Sequence, residues 1–112
     1  MQITTTTAGA SAVLAVTGAI DASTFSQLIR EADLALESGQ ARLVLDLSGV
    51  DYISSAALVA LQTITGRASA HGGKAVLCGI TPRVMKVLET TGFQHMLTIF
   101  PDRAAALASL ES

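Results

Sequence analysis

The sequence predicts one α/β domain spanning residues 1–112: a mixed, mostly parallel sheet of about four to five strands with about four helices, joined in successive right-handed strand–helix turns. Three observations predict it. Leu43–Leu47 and Ala75–Cys78 are short, almost continuous apolar runs, the pattern of strands buried on both faces. Segments of helical periodicity follow each of them. Gly or Pro punctuates nearly every junction. A chain of 112 residues fits a single domain, and an apolar fraction of 50% is enough for a core.

Gln2 to Thr7 is threonine-rich and β-prone, and Ala12 to Thr17 reads as a second strand paired with it across Gly9. Gly18 is expected to end that strand. Asp21 and Ser23 are both candidate N-caps for a helix carrying Phe25, Leu28, Ile29, Ala32 and Leu36 on one face, closed by Gly39. Leu43–Leu47 is the third strand, and Ser48-Gly49 marks a bend. A helix runs from Ser54 or Ser55 to about Ser69, with Leu58, Leu61, Ile64 and Ala68 along one side. His71-Gly72-Gly73 stops it. Ala75–Cys78 is the next strand. Thr81-Pro82 opens a helix, since Pro suits the first helical position, and Gly92 closes it. Leu97–Phe100 is a last short strand, and Asp102 caps a final helix from Arg103 to Leu110.

Composition narrows the function classes. The net charge is −2, from seven basic and nine acidic residues scattered along the chain, so there is no basic footprint for nucleic acid. No apolar stretch reaches the ~18 residues of a membrane span, and no signal-peptide pattern opens the chain. A cytoplasmic protein without membrane insertion is expected. The single cysteine, Cys78, excludes an internal disulfide and lies on a buried strand, where it serves as a small apolar residue. His71 and His95 lack ligand spacing and read as surface residues, so no metal site is expected. Neither G-x-G-x-x-G nor a P-loop is present, and no cofactor is expected. Gly-x-Ser-x-Gly is also absent, and no enzyme activity is expected.

The adjacent serines Ser54 and Ser55 stand where strand gives way to helix. Two readings are open. Either hydroxyl can cap the helix, worth about 1 kcal/mol. Alternatively, loops beyond the carboxyl ends of parallel strands are where open α/β sheets engage ligands. A serine there can accept a phosphate of about −1.5 to −2 charge and so switch a docking surface. The two roles are compatible.

Leu45-Asp46-Leu47-Ser48-Gly49-Val50-Asp51-Tyr52-Ile53-Ser54-Ser55-Ala56-Ala57-Leu58 resembles the signature of STAS domains, and more narrowly of free-standing bacterial anti-sigma-factor antagonists. Val16-Thr17-Gly18-Ala19-Ile20-Asp21 resembles the family's first loop, and Gly73–Gly79 with Pro82–Gly92 is similar to its last third. The resemblance covers nearly the whole chain. It implies partner switching: the antagonist binds an anti-sigma factor that is also a serine kinase, loop-serine phosphorylation breaks the complex, and a serine phosphatase restores it. The kinase holds the ATP. Many relatives read Asp-Ser-Ser-Gly; another common form reads Ser-Ser-Ala-Gly, with Ala57 here replacing the glycine. The implied acceptor is Ser55 or Ser54, with Ser55 preferred.

The resemblance places Asp21, Asp51, Tyr52, Ser54, Ser55, Ala56 and Ala57 at the partner surface. Asp46 is expected to support the loop, Tyr52 and Ile53 to anchor it in the core, and Ala57 to crowd a close partner. The alternative within the same family is an accessory subunit acting on the ATPase of a membrane transporter, without a phosphate cycle.

Overall fold

The computed structural model describes residues 1–111. The elements run β1 (Gln2–Ala8), β2 (Ser11–Ile20), α1 (Phe25–Glu37), β3 (Arg42–Ile53), α2 (Ser55–Ala70), β4 (Lys74–Cys78), α3 (Pro82–Thr91), a 3₁₀ turn (Phe93–Met96), β5 (Ile99–Phe100) and α4 (Arg103–Glu111). Among the described residues the sheet has five strands, in the order β1-β2-β3-β4-β5. β1 is antiparallel to β2, and the remaining neighbours are parallel. This is the expected mixed α/β domain.

The register explains why the central strands read as unbroken apolar runs. Leu14, Leu45 and Leu77 lie side by side on one face, and Val13, Val44 and Val76 on the other. The leucine face packs under α1, α2 and α3 through Leu28, Leu36, Leu61, Ile64 and Leu88. The valine face, with Cys78, is covered by Ala106 and Leu110 of α4. Both faces are covered, so alternation with polar residues is lost. On α2 the side carrying Leu58, Leu61, Ile64 and Ala68 is buried as its spacing predicts.

The helix ends follow local chemistry. Thr81 Oγ1 accepts from the Val84 N–H at 3.4 Å, Pro82 fills the first position of α3, and Gly92 closes it in the left-handed region at φ 79°. Asp102 Oδ1 accepts from the Ala105 N–H at 2.8 Å at the start of α4.

Three strand boundaries differ from expectation. The last strand, expected from Leu97, is only Ile99–Phe100, because Leu97 closes the preceding 3₁₀ turn. β2 does not stop at Gly18 but runs to Ile20, and Ser48-Gly49 does not end β3, which continues to Ile53. β3 carries extra residues opposite β2 between Asp46 and Gly49 and again between Val50 and Tyr52. Such bulges let a twisted pair continue after its register slips. Gly49 is required there, since a Cβ would fall 2.6 Å from the Thr17 methyl and 3.0 Å from the Val16 carbonyl oxygen.

Asp46, at the first bulge, is nearly buried. Its Oδ1 accepts from the Ser48 N–H at 3.0 Å, and its Oδ2 from Arg103 Nε at 3.1 Å and Nη2 at 2.7 Å. It therefore fixes the bulge and clamps α4 to the sheet, rather than supporting the Ser54–Ser55 turn; the strand runs on for seven residues beyond it. Burial pushes this carboxyl up, but the Ser48 N–H and the Arg103 guanidinium outweigh that and hold it below its ordinary value. A depressed carboxyl stabilises the fold above its unfolded pKa of about 3.9, and that contribution is lost as pH falls through the folded value. Arg103→Ala is expected to cost about 2 kcal/mol at neutral pH, as charge-assisted hydrogen bonds do. Asp46→Asn should flatten the stability profile below about pH 4 relative to the unmodified chain. Urea titrations across pH measure both.

Candidate functional site

Three turns meet at the carboxyl ends of the parallel strands. The Ser54 N–H donates to the Ile20 carbonyl at 3.0 Å, setting the β3–α2 turn against the β2–α1 turn. Thr81 Oγ1 donates to the Val50 carbonyl at 3.3 Å, setting the β4–α3 turn against the end of β3. This is the edge at which open α/β sheets engage ligands, because helix N-termini and loops converge there.

Asp21 is spent on shaping its own turn. Its Oδ1 accepts from the Ser23 N–H at 2.9 Å and the Ser23 hydroxyl at 2.7 Å, and its own N–H donates to Thr24 Oγ1 at 2.9 Å. The N-cap position of α1 is Thr24, not Asp21 or Ser23. The hydroxyl and N–H of Ser23 hold the Asp21 carboxyl below its usual range.

The serine pair divides sharply. Ser54 occupies the N-cap position of α2 in extended conformation, yet neither serine makes a side-chain cap hydrogen bond. The Ser54 carbonyl takes the Ala57 N–H at 3.0 Å instead. Ser54 Oγ is sealed from solvent and has no hydrogen-bond partner among the described residues. The residue as a whole is half-buried, but its hydroxyl is turned inward, unlike the accessible acceptor expected of it. Ser55 is exposed at the first position of the helix. The N–H groups of Ser55 and Ala56 have no acceptor within the helix by position. No acidic residue stands in the first turn. An uncapped, acid-free helix start favours an anion beside it, by about 0.3–1 kcal/mol.

The other expected residues also separate. Asp51 is exposed and Tyr52 is 52% exposed, so Tyr52 points outward and Ile53, at 4%, alone anchors the turn. Ala56 is half-buried. Ala57 is fully enclosed, so its methyl group packs into the core and cannot crowd a partner. The substitution of alanine for the motif's glycine is thus a core feature, not a surface one.

Sequence reasoning missed the outer face of α2. Ser55, Val59, Gln62 and Gly66 are all exposed and recur at helical spacing, with Val59 at 53% exposure. This stripe carries no charge. The signal was available, because Val59 lies four residues after Ser55 and off the Leu58–Leu61 side.

Hydrolytic chemistry finds no partner at Ser55 within α2. His71 closes the opposite end of that helix, with Nδ1 2.9 Å from the Arg67 carbonyl oxygen. Cys78 is buried, and burial, then the Asp46 carboxylate, pushes its thiol up to about 11. Among the described residues no group of three His, Cys, Asp or Glu side chains is placed to hold a metal ion, and no helix is long and apolar enough to cross a membrane.

Comparison with known proteins agrees with this architecture. The STAS domain family model matches residues 2–106. BtrV of Bordetella bronchiseptica, assigned as an anti-sigma factor antagonist, is 33% identical over 95 residues, covering 85% of this chain and 82% of BtrV. The same fold occurs in a Thermotoga maritima protein assigned as an anti-sigma factor antagonist, with a TM-score of 0.90, 20% identity and coverage of 98% of this chain and 95% of that one. It also occurs in the phosphorylated form of the Bacillus cell fate determinant SpoIIAA, with a TM-score of 0.70, 13% identity and coverage of 93% and 96%. With its turn signature, its strand order and a family match over nearly its whole length, this chain belongs to the STAS domain family.

Proposed function

We propose that this chain is an anti-sigma-factor antagonist that docks an anti-sigma factor with serine kinase activity and is released when Ser55 is phosphorylated. The observation that carries the proposal is the contrast at the start of α2: Ser55 open, Ser54 sealed, and an uncharged exposed face running on from Ser55. The relationship to BtrV supports the same role.

Ser55 is the acceptor. Asp21, Asp51, Tyr52, Ala56 and Val59 form or border the docking surface. A phosphate of about −1.5 to −2 charge at Ser55 sits comfortably on the free N–H groups of its own helix. The same charge facing a partner pressed against Val59 and Tyr52 has to be desolvated, which opposes docking. The switch thus acts on the interface and leaves the core untouched. A serine phosphatase returns the protein to its binding form. The antagonist holds no nucleotide itself, and an ATP-dependent partner places the cycle in the cytoplasm. Its regulatory output is transcription, through release of the sigma factor.

Incubation with the candidate kinase and ATP, followed by mass-spectrometric mapping, tests the assignment. The expected result is phosphate on Ser55, none on Ser54, and no incorporation in Ser55→Ala. Absence of phosphate on Ser55, from a kinase shown to be active, overturns the proposal.

A further inference from the structure

The two edges of the sheet are unlike. β5 has two residues and is followed at once by Pro101 and Asp102, so it offers almost no ladder. β1 has seven residues, Gln-Ile-Thr-Thr-Thr-Thr-Ala, with no charge, no proline and no bulge in its pairing with β2. Natural sheets normally blunt a long edge with charge, proline or a bulge, because its free N–H and C=O groups template another strand. β1 lacks each of these devices.

The hairpin geometry states which groups are free. Gly9 and Ala10 form a two-residue loop between Ala8 and Ser11, with φ +62° at Gly9 and no positive φ at Ala10. That is the pattern of a type II′ turn, whose flanking residues form a hydrogen-bonded pair. Alternation along an antiparallel ladder then turns the backbone of Ala8, Thr6, Thr4 and Gln2 toward β2. The N–H and C=O groups of Ile3, Thr5 and Thr7 face outward.

We propose that β1 is the dimerisation edge for a second copy of this chain, paired antiparallel about a two-fold axis at Thr5. In this register all seven residues pair: Thr5 with Thr5, Ile3 with Thr7, Thr4 with Thr6, and Gln2 with Ala8. Ile3, Thr5 and Thr7 fall in hydrogen-bonded pairs, matching the outward groups one for one. Thr4 and Thr6 become a Thr–Thr pair, a favourable cross-strand combination. An uncharged strand meets no like charge in its own copy, so the edge is self-complementary. The two sheets join into one, and the turn carrying Ser55, which follows β3, lies two strands in from the new seam. The inference is independent of the phosphorylation reading. A strand-edge interface is small, so the dimer belongs to the weak, concentration-dependent class.

Sedimentation equilibrium of the whole chain over a roughly thousandfold range of concentration tests it. The expected result is a monomer–dimer equilibrium. Thr5→Pro removes one outward N–H, which an edge strand tolerates, and should shift the dissociation constant at least about tenfold while the circular dichroism spectrum is retained. Thr5→Lys sets two cations opposite each other and should do the same should the proline variant fail to fold. Hydrogen exchange gives a second readout: the Ile3, Thr5 and Thr7 amides slow as concentration rises, while those of Thr4 and Thr6 do not change. A chain that stays monomeric throughout overturns the proposal, as does a dimer whose formation is unaffected by Thr5→Lys or whose concentration-dependent protection lies off β1.

Discussion

Gly73→Ala is expected to destabilise the domain by about 3 kcal/mol or more, the upper range for overpacking. A Cβ there would fall 1.9 Å from the Ala41 carbonyl oxygen and 2.6 Å from the Ala41 Cβ. Neither obstacle is a flexible side-chain end. That carbonyl accepts the Lys74 N–H at 3.0 Å, and the Gly73 N–H donates to the Ala68 carbonyl at 2.9 Å, closing α2. Arg42 and Lys74 then open the β3–β4 ladder. The added methyl group must push β3 and β4 apart where their pairing begins. Two neighbouring glycines separate this cause from a general effect of glycine. Gly72 has φ +81° and open space around it, so Gly72→Ala should cost about 1–2 kcal/mol from backbone conformation alone. Gly66 lies in α2 with nothing near its missing Cβ, so Gly66→Ala should stabilise by up to about 1 kcal/mol. Urea midpoints rank the variants, and a Gly73→Ala midpoint equal to that of the unmodified chain would contradict the packing argument.

Ser55→Asp is expected to weaken binding to the anti-sigma kinase by roughly 100-fold, about 2.8 kcal/mol. The exposed position admits the carboxylate without strain, and the helix start accepts it, so thermal unfolding should change little. The loss should appear in the complex alone. Ser54→Ala is the matched control. It removes a sealed hydroxyl that has no partner among the described residues, so both stability and affinity should stay within about 0.5 kcal/mol. Ser54→Asp is unsuitable as a phosphomimic, since it would place a charge where even a hydroxyl is enclosed. Titration calorimetry with the kinase reads these effects. Equal binding by Ser55→Asp and the unmodified protein would remove the electrostatic basis of the proposed release.

Element order was legible because it rests on local chemistry. The apolar runs at Leu43–Leu47 and Ala75–Cys78, the Thr81-Pro82 helix start and the Gly92 stop each act within a few residues. The continuation of β2 to Ile20 and of β3 to Ile53 was not legible, because the bulges that permit it depend on how one strand lies against the next. Asp46 shows the same division. Sequence shows that a carboxylate in a buried strand needs partners; only folding brings Arg103, fifty-seven positions away, within 2.7 Å of it.

By itself the sequence determined the α/β class, the positions of strands and helices, and the serine pair at a strand–helix junction. Those follow from periodicity, capping and turn chemistry, which are short-range. Tertiary structure decided which serine is reachable, that Tyr52 faces out while Ala57 faces in, and that α2 carries an uncharged outer stripe. Ser54 and Ser55 are adjacent and chemically identical, so no local rule separates them. The Ser54–Ile20 backbone bond and the packing around the start of α2 enclose one hydroxyl and leave the other in water.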